Sequence, residues 1–248
     1  MPKAQALAPV TRAIVLAAGH SRETRELLLK PLGTSTVIEL VLQNVLSVVA
    51  KEDITIVVDE HDDSVRAHLG DSWNFVVQSV QAGTGDAVRC ARFELRDYHG
   101  DVLIAYGDTP LLRAASLKGL LNRHRLKGAK FSLLSALLDE PAQYGRIVRD
   151  EKGELSEIVE ATDLSADAAQ IHEINVGAYV VHADLLISRL DEMAQANEHR
   201  LTELAQRLIG QGVPTSSYVT PDTDEVQGIN TTEQFLLAGD IVLKRLFA

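Results

Sequence analysis

Residues 14–19 read Ile-Val-Leu-Ala-Ala-Gly, and this stretch decides the fold. The apolar residues from 13 to 18 predict a central strand of a parallel sheet, because such strands are buried on both faces. Small residues at its carboxyl end let a nucleotide lie against bare backbone, whose N–H groups attract negative charge. Lys30 then brings a positive charge to the same place. The stretch predicts a phosphate-binding loop, although close packing alone also explains Ala-Ala-Gly.

This motif differs from the two best-known glycine-rich phosphate loops. It lacks the Gly-Lys-Ser/Thr ending of a P-loop, and it lacks the three-glycine spacing of a dinucleotide-binding fold. A nucleotide-binding fold of another type is therefore predicted, and the rest of the chain has to identify it.

The overall charge restricts the possible partners. Among 248 residues there are 24 Lys+Arg and 35 Asp+Glu, which gives a formal net charge of −11. Such a balance argues against nucleic acid or an anionic membrane as the main partner. A small anion held in a locally positive pocket remains compatible with it.

The single cysteine and the hydropathy pattern indicate a compartment. Cys90 stands alone, so the chain forms neither an internal disulfide nor a cysteine metal site. The first nine residues have no apolar core long enough for a signal peptide, and no later run approaches a membrane span. We therefore expect a cytoplasmic protein without a membrane partner.

Short apolar runs alternate with amphipathic stretches in the first half of the chain. Strands are predicted at 13–18, 54–58, 75–77 and 102–105, and helices at 37–49, 65–69 and 84–95. In the second half, strands are predicted at 131–138, 146–148, 157–159, 175–181 and 217–219, and helices at 184–194, 201–209 and 232–247. The pattern predicts an α/β fold: a mostly parallel, Rossmann-like twisted sheet with helices on both faces and a mixed-sheet lobe.

Two further motifs follow predicted strands. Gln78, Gln81 and Gly83-Thr84-Gly85 stand at the start of a helix, where Thr84 is expected to cap the helix and Gln78 to bind the edge of a pyrimidine. Tyr106-Gly107-Asp108 places a carboxylate at a strand end, where it is suited to hold Mg²⁺ together with substrate phosphates. An ordinary helix N-cap and an ordinary turn explain the same residues without a ligand.

The order of the motifs resembles that of the sugar-nucleotide pyrophosphorylases, and most closely the uridylyltransferase domain of bacterial N-acetylglucosamine-1-phosphate uridylyltransferase. The motifs that carry this resemblance are Leu16-Ala17-Ala18-Gly19, Lys30, Gln78 with Gln81-Ala82-Gly83-Thr84-Gly85, Tyr106-Gly107-Asp108, Tyr144-Gly145-Arg146-Ile147-Val148, Ile158-Val159-Glu160, Glu173-Ile174-Asn175-Val176-Gly177, Leu201-Thr202-Glu203 and Glu225-Val226-Gln227-Gly228-Ile229-Asn230. They extend over almost the whole chain, which makes their ordered agreement far more specific than any single motif.

The resemblance implies a role for each matching residue. The implied nucleotide-binding residues are Leu16, Ala17, Ala18, Gly19, Gln78, Gln81, Gly83, Thr84, Tyr106 and Gly107. Lys30 is expected to face the triphosphate, and Asp108 and Asn230 to share a catalytic Mg²⁺. The implied sugar-phosphate ligands are Gly145, Glu160, Asn175 and Thr202. These roles come from the resemblance and not from spacing.

Two positions depart from the family pattern. Glu23 stands where relatives have a phosphate-binding arginine, and Thr162 stands where they commonly have a lysine. Arg22 or Arg25 is expected to supply the missing charge, because arginine suits a bidentate grip on phosphate. The alternative is that Arg22, Glu23, Arg25 and Glu26 form a solvated, charge-balanced helical turn.

The resemblance implies a single nucleotidyltransferase domain over residues 1–248. Residues 12–130 would bind the nucleotide, 131–230 the sugar phosphate, and 231–248 would form the C-terminal helix. The expected substrates are a nucleoside triphosphate and a sugar 1-phosphate, most closely UTP and N-acetylglucosamine 1-phosphate. Two alternatives remain: the same reaction with another base or acceptor, and a non-catalytic nucleotide-sugar sensor. No hexapeptide repeats follow, so acetyl transfer is not expected, and the oligomeric state is undetermined.

Overall fold

The computed structural model describes residues 10–141, 143–196 and 199–246. The prediction about a signal peptide falls on residues 1–9, and the predicted end of the last helix falls on residue 247. Both lie outside the described residues.

One sheet carries almost all the strands of the molecule. The strands are β1 (Thr11–Leu16), β2 (Pro31–Leu32), β3 (Ser35–Thr36), β4 (Ile54–Asp59), β5 (Asn74–Gln78), β6 (Asp101–Tyr106), β7 (Phe131–Leu137), β8 (Arg146–Arg149), β9 (Leu155–Val159), β10 (Glu173–His182) and β11 (Thr215–Val219). The main sheet has the order β11-β7-β10-β6-β1-β4-β5, β8 and β9 extend it beside β10, and β2 pairs only with β3.

The sheet is mixed because it contains both parallel and antiparallel strand pairs, and β8 is antiparallel to β9 and β10. Strand β1 pairs in parallel with β4 and β6, and β4 pairs in parallel with β5. Strand β10 is antiparallel to both β6 and β7, while β11 is parallel to β7. This agrees with the predicted parallel first half and mixed second half.

Eight α-helices occur in the described part of the chain and cover both faces of the sheet. They are α1 (Arg22–Leu28), α2 (Val37–Leu46), α3 (Ser64–Leu69), α4 (Thr84–Cys90), α5 (Ala114–Leu126), α6 (Ala183–Gln195), α7 (Leu201–Gly210) and α8 (Thr232–Leu246). None of the helices in these described ranges has the length and apolar character needed to cross a bilayer.

The central strands have apolar side chains on both faces, as a doubly covered sheet requires. Leu103 and Ala105 belong to one buried cluster, and the alternate residues Val102 and Ile104 belong to the other. The first cluster includes residues of α2 and α5, and the second includes residues of α4, α6 and α7. Burial on both sides explains why these strands are uninterrupted apolar runs in the sequence.

Helix α5 has no counterpart among the predicted elements. Its buried residues Leu117, Leu120 and Leu121 recur at helical spacing. Gly119 and the basic last turn weaken this pattern, because glycine lowers helix propensity and the charges dilute the apolar face. The predicted helix at 84–95 is also divided: α4 ends at Cys90, and Ala91–Leu95 continues as a 3-10 helix.

The topology brings four strand ends together. Leu16 at the end of β1 lies opposite Tyr106 at the end of β6, and Asp59 at the end of β4 lies opposite Gln78 at the end of β5. In open parallel sheets, ligands bind in the crevice beyond these carboxyl ends. The functional site is therefore expected here.

Candidate active site

Two adjoining cavities form one crevice beyond the carboxyl ends of β1, β5 and β6. The first encloses about 290 Å³ and the second about 410 Å³. Gly83, Thr84, Tyr106 and Asp108 line both, so they mark the boundary between the two. The crevice thus offers two neighbouring compartments, with Asp108 at their junction.

Most of the predicted nucleotide-binding residues line the first cavity. They are Leu16, Ala18, Gly19, Gln78, Gln81, Gly83, Thr84 and Tyr106. Ala17 and Gly107 are not among the described residues that line this cavity. The backbone N–H of Gly107 donates to the carbonyl of Leu16 at 2.8 Å, and a Cβ at residue 107 would lie 2.9 Å from that carbonyl oxygen. Glycine at this position therefore allows β1 and β6 to end close together.

Gly19 turns the chain from β1 into α1. Its φ is +59°, and a Cβ there would lie 2.7 Å from Cγ of Arg25. The hydroxyl of Ser21 then accepts a hydrogen bond from the backbone N–H of Thr24 at 3.1 Å and caps α1. Because the left-handed conformation favours glycine and Arg25 fills the adjacent space, this loop needs a residue without a side chain.

Arg25 is neutralised beneath this loop. Its guanidinium pairs with Asp59 at 3.1 Å and with Asp62 at 2.8 Å. Gln81 joins the same network, since its amide nitrogen donates both to Asp59 and to the carbonyl of Ala18, the latter at 3.3 Å. The network holds the loop from below, and two carboxylates compensate the arginine charge.

Arg22 and Lys30 also lie away from the cavity lining. Arg22 pairs with Glu26 at 2.7 Å, and its side chain is 86% exposed. Lys30 is exposed, with its ammonium 5.7 Å from the ring centroid of Phe235 on α8. Glu23 is exposed as well. Among the described residues that line the two cavities, none of the three predicted phosphate-binding cations is present.

Thr84 acts differently from the expected helix cap. The N-cap of α4 is Gly83, without a side-chain capping bond. The hydroxyl of Thr84 instead accepts a hydrogen bond from the backbone N–H of Leu201 at 3.1 Å. The N–H of Gly85 also donates to the carbonyl of His199 at 2.6 Å. The capping prediction was wrong because the segment that leads into α7 packs on the start of α4, although the two are distant in sequence.

Asp108 carries a perturbed carboxyl at the junction of the two cavities. Burial raises the pKa of its carboxyl from the ordinary value of 3.8 to about 6, although Asn230 and the charge of His20 act in the opposite direction. Within the described residues, its Oδ1 is buried without a hydrogen-bond partner. A buried carboxylate oxygen without a partner is costly, which points to a missing ligand.

Asp108 and Asn230 together fit a hard divalent cation. Magnesium prefers oxygen ligands and usually binds through one or two protein groups, with substrate phosphates and water completing its shell. The backbone N–H of Ile229 donates to the carbonyl of Asp108 at 2.8 Å, which fixes the two segments side by side. No group of three or more His, Cys, Asp or Glu suited to a metal occurs in the described ranges. The residues present thus fit a cation held jointly with a ligand.

The second cavity contains the predicted sugar-phosphate residues. Gly145, Glu160, Asn175 and Thr202 all line it. The Thr202 hydroxyl donates to Glu160. The amide of Asn175 donates to the hydroxyl of Tyr179 at 2.8 Å, and that hydroxyl lies 3.4 Å from the hydroxyl of Tyr106. The polar groups of this compartment are therefore held by one another.

Two residues of the crevice were missed by the sequence interpretation. His20 lines the first cavity and acts electrostatically on Asp108. Arg200 lines the second cavity and brings a positive charge to it. Its position directly before the motif that contains Thr202 is a signal that could have identified it.

A doubly covered sheet with a glycine turn after its first strand, and a two-part crevice beyond its strand ends, defines a nucleotide-binding α/β protein. Comparison with known families makes this specific. The chain belongs to the Nucleotidyl transferase family, whose model matches residues 13–224. The family resemblance inferred from the ordered motifs is thereby confirmed.

Several curated relatives are similar over most of the chain. A bifunctional protein GlmU from Oceanobacillus iheyensis is 35% identical over 240 residues, which cover 94% of this chain and 52% of that protein. The GlmU protein from Staphylococcus carnosus is 37% identical over 224 residues, covering 88% of this chain and 49% of that protein. The chain thus spans about half the length of the relatives it matches.

A solved structure confirms the fold. It is that of a CMP:2-keto-3-deoxy-manno-octonic acid synthetase complexed with CTP, with a TM-score of 0.72. The superposition covers 95% of this chain and 99% of the other at 14% sequence identity. The predicted α/β architecture with its mixed extension is therefore correct.

Proposed function

We propose that this protein joins a sugar 1-phosphate to a nucleoside triphosphate and releases pyrophosphate. The substrates that the motif resemblance implies are UTP and N-acetylglucosamine 1-phosphate, and the product is UDP-N-acetylglucosamine. The observation that carries the proposal is the position of Asp108, whose partnerless buried oxygen lies where the two cavities meet. A cytoplasmic location accompanies the proposal, because the single cysteine fits a reducing compartment.

The two compartments divide the substrates. Residues 12–130 supply the first cavity, which we assign to the nucleotide. Gln78 and Gln81 are assigned to the nucleobase, and the Gly19 turn is assigned to the phosphates. Residues 131–230 supply much of the second cavity, assigned to the sugar phosphate. Helix α8 (Thr232–Leu246) belongs to the same proposed domain.

The reaction requires alignment more than proton transfer. An oxygen of the sugar phosphate forms a bond to the α-phosphorus, and the bond from that phosphorus to the oxygen bridging to the β-phosphorus breaks as pyrophosphate leaves. The attacking phosphate is already ionised at neutral pH, so no general base is needed. The chain's task is to hold two anions in line and offset their charge, which is the work of positioning and electrostatics.

Each part of the crevice has a role in this task. Backbone N–H groups at the Gly19 turn bind phosphate oxygens, and Arg200 offsets charge on the sugar-phosphate side. Glu160 and Asn175, held by Thr202 and Tyr179, orient the sugar. Asp108 and Asn230 would hold Mg²⁺, which when bound neutralises phosphate charge. Lys30, Arg22 and Arg25 remain candidates for the triphosphate through movement of their side chains.

The test is release of pyrophosphate from UTP in the presence of N-acetylglucosamine 1-phosphate and Mg²⁺. We expect Asp108→Asn to lower the rate by about two orders of magnitude or more, because a charge-compensating group at the reacting phosphates is lost. Asp71→Asn is the matched control, since that carboxylate is 92% exposed. Normal turnover of Asp108→Asn would refute the proposed mechanism.

A second candidate function is a nucleotide-sugar sensor without turnover. Glu23 at the expected arginine position, and the absence of Lys30 from the described cavity lining, favour it. Calorimetry distinguishes the two. Binding of UDP-N-acetylglucosamine by the wild type, together with no pyrophosphate release from any pairing of nucleoside triphosphate and sugar phosphate, would support the sensor.

A further inference from the structure

Gln78 is held in one orientation by a carboxylate behind it. Its amide nitrogen donates to Oδ2 of Asp86 at 3.1 Å and more weakly to the carbonyl of Gly83 at 3.4 Å. Both Gln78 and Asp86 are buried, at 4% and 8% exposure. A carboxylate accepts hydrogen bonds and donates none, so the nitrogen of the amide must face Asp86.

Asp86 is itself fixed from the other side. Nη2 of Arg89, one turn further along α4, donates to Oδ1 of Asp86 at 2.6 Å. The arginine thus occupies one carboxylate oxygen, and Gln78 occupies the other. The two bonds fix the Asp86 carboxylate between Arg89 of the same helix and Gln78 at the end of β5. Charge-assisted bonds of this kind are stronger than neutral ones.

The carbonyl oxygen of Gln78 is left for a ligand. Within the described residues it accepts no hydrogen bond, and it is not among the fully buried atoms without a partner. Gln78 lines the first cavity. The atom that the cavity receives from this side chain is therefore an acceptor.

We propose that Asp86 is a specificity-determining positioning residue, which selects a pyrimidine that carries a hydrogen on N3 by fixing the amide of Gln78 with its oxygen toward that position of the base. The inference rests on the proposed function, in which the base is uracil. Uracil carries a hydrogen on N3, whereas N3 of cytosine is an acceptor. The fixed oxygen of Gln78 attracts the first and repels the second. The sequence motif around Gln78 does not indicate this role, because Asp86 acts on the base only through Gln78.

The substitution Asp86→Asn tests the orientation directly. Arg89 donates to the side chain at residue 86, so the oxygen of the new amide turns toward Arg89 and its nitrogen turns toward Gln78. Two amide nitrogens then face each other, which favours rotation of the Gln78 amide. Its nitrogen would enter the cavity and present a donor. The preference between uracil and cytosine should therefore reverse, and not merely weaken.

The measurement is the ratio of the dissociation constants of CDP and UDP, obtained by calorimetry without turnover. We expect the wild type to prefer UDP by about tenfold or more and Asp86→Asn to prefer CDP by a similar factor, a change in the ratio of roughly a hundredfold, since the hydrogen bond and the repulsion at N3 of the base change places. Asp86→Ala should bring the ratio toward unity, because the amide is then free to rotate. Circular dichroism checks that each variant is folded.

Asp191→Asn is the matched control. Asp191 lies exposed on α6 and acts on Arg89 through its charge, so the variant removes an equal charge beside the same arginine without altering the environment of Gln78. The control should keep the wild-type ratio.

Failure of this inference is separable from failure of the proposed function. An unchanged ratio in folded Asp86→Asn, with UDP still preferred, would overturn the role of Asp86 and leave the uridylyl assignment intact. A wild-type preference for CDP, or no binding of either nucleotide, would instead overturn the uridylyl assignment. An equal shift in Asp191→Asn would attribute the effect to charge and so overturn the orientation argument.

Discussion

Glu160 accepts a hydrogen bond from the hydroxyl of Thr202, although the two residues are 42 positions apart in the chain. The bond joins the segment after β9 to the first turn of α7, on the wall of the second cavity. We propose that this bond orients the carboxylate of Glu160, which in the proposed function orients the sugar.

We expect Thr202→Val to raise the KM for the sugar 1-phosphate by about tenfold, because a hydrogen bond to a charged group is lost at nearly constant side-chain volume. The KM for UTP should stay the same, since Thr202 lines only the second of the two cavities. Steady-state kinetics with each substrate varied in turn measures both constants. The exposed Thr34→Val is the control, and a parallel rise in both constants would contradict the assignment.

Gly177 is predicted to be intolerant of alanine. Its φ is +91°, and a Cβ would lie 2.7 Å from Cε2 of Tyr106. Gly153 provides the matched control, because its φ is +76° and no heavy atom lies within 4 Å of the added carbon. Both variants carry backbone strain, and only Gly177→Ala also displaces an aromatic ring of the crevice.

Urea unfolding should therefore show Gly177→Ala to be less stable than Gly153→Ala by about 1–3 kcal/mol, the usual cost of overpacking. The proposed activity should also fall in Gly177→Ala alone, since Tyr106 borders both cavities. Equal stability of the two variants would mean that Tyr106 moves aside without cost.

Asp108→Asn is expected to stabilise the protein while it abolishes activity. The pKa of Asp108 is raised from 3.8 to about 6. Its neutral form is therefore favoured in the folded state, and this contribution to stability is present below pH 4 and lost as the pH rises through 6. The shift corresponds to on the order of 3 kcal/mol.

The measurement is the free energy of unfolding in EDTA at pH 4.5 and pH 8. The free energy of unfolding of the variant, relative to that of the wild type, should be higher at pH 8 than at pH 4.5, because an amide carries no charge to bury. Mg²⁺ should stabilise the wild type more than the variant at pH 8. If the two proteins have the same pH dependence in EDTA, the carboxylate is not held in a costly environment.

Asp101 is predicted to govern acid stability. Hydrogen bonds from His124 and Arg125 lower the pKa of Asp101 from 3.8 to about 2, against the effect of burial. The stabilisation is complete above pH 4 and is lost as the pH falls through 2, and it amounts to about 2 kcal/mol. In the variant Asp101→Asn, the free energy of unfolding should no longer fall by this amount between pH 4 and pH 2.

Asp184 is the comparison residue. The pKa of this carboxyl is also lowered, chiefly by a hydrogen bond with His99, but solvent surrounds the pair. Asp184→Asn should therefore change the acid transition far less than Asp101→Asn, because exposed ion pairs contribute little. A comparable effect of both substitutions would contradict the importance of the buried His124.

The sequence by itself determined the positions of the site along the chain. Gly19, Gln78 and Tyr106 each follow or end an apolar run, and such runs are recognisable because a strand buried on both faces must be continuously apolar. A parallel sheet then brings its strand ends together whatever the side chains are. Hence most of the predicted nucleotide-binding and sugar-phosphate residues were found in one crevice.

Only the tertiary structure decided what each side chain is bound to. Arg25 is paired with Asp59 and Asp62, Thr84 binds the backbone of Leu201, and Asp86 holds Gln78. Burial on both faces gives a local and continuous apolar run in the sequence, so it can be recognised there. Hydrogen-bond partners such as Thr84 and Leu201, 117 positions apart, leave no such trace, because their meeting depends on how whole helices pack.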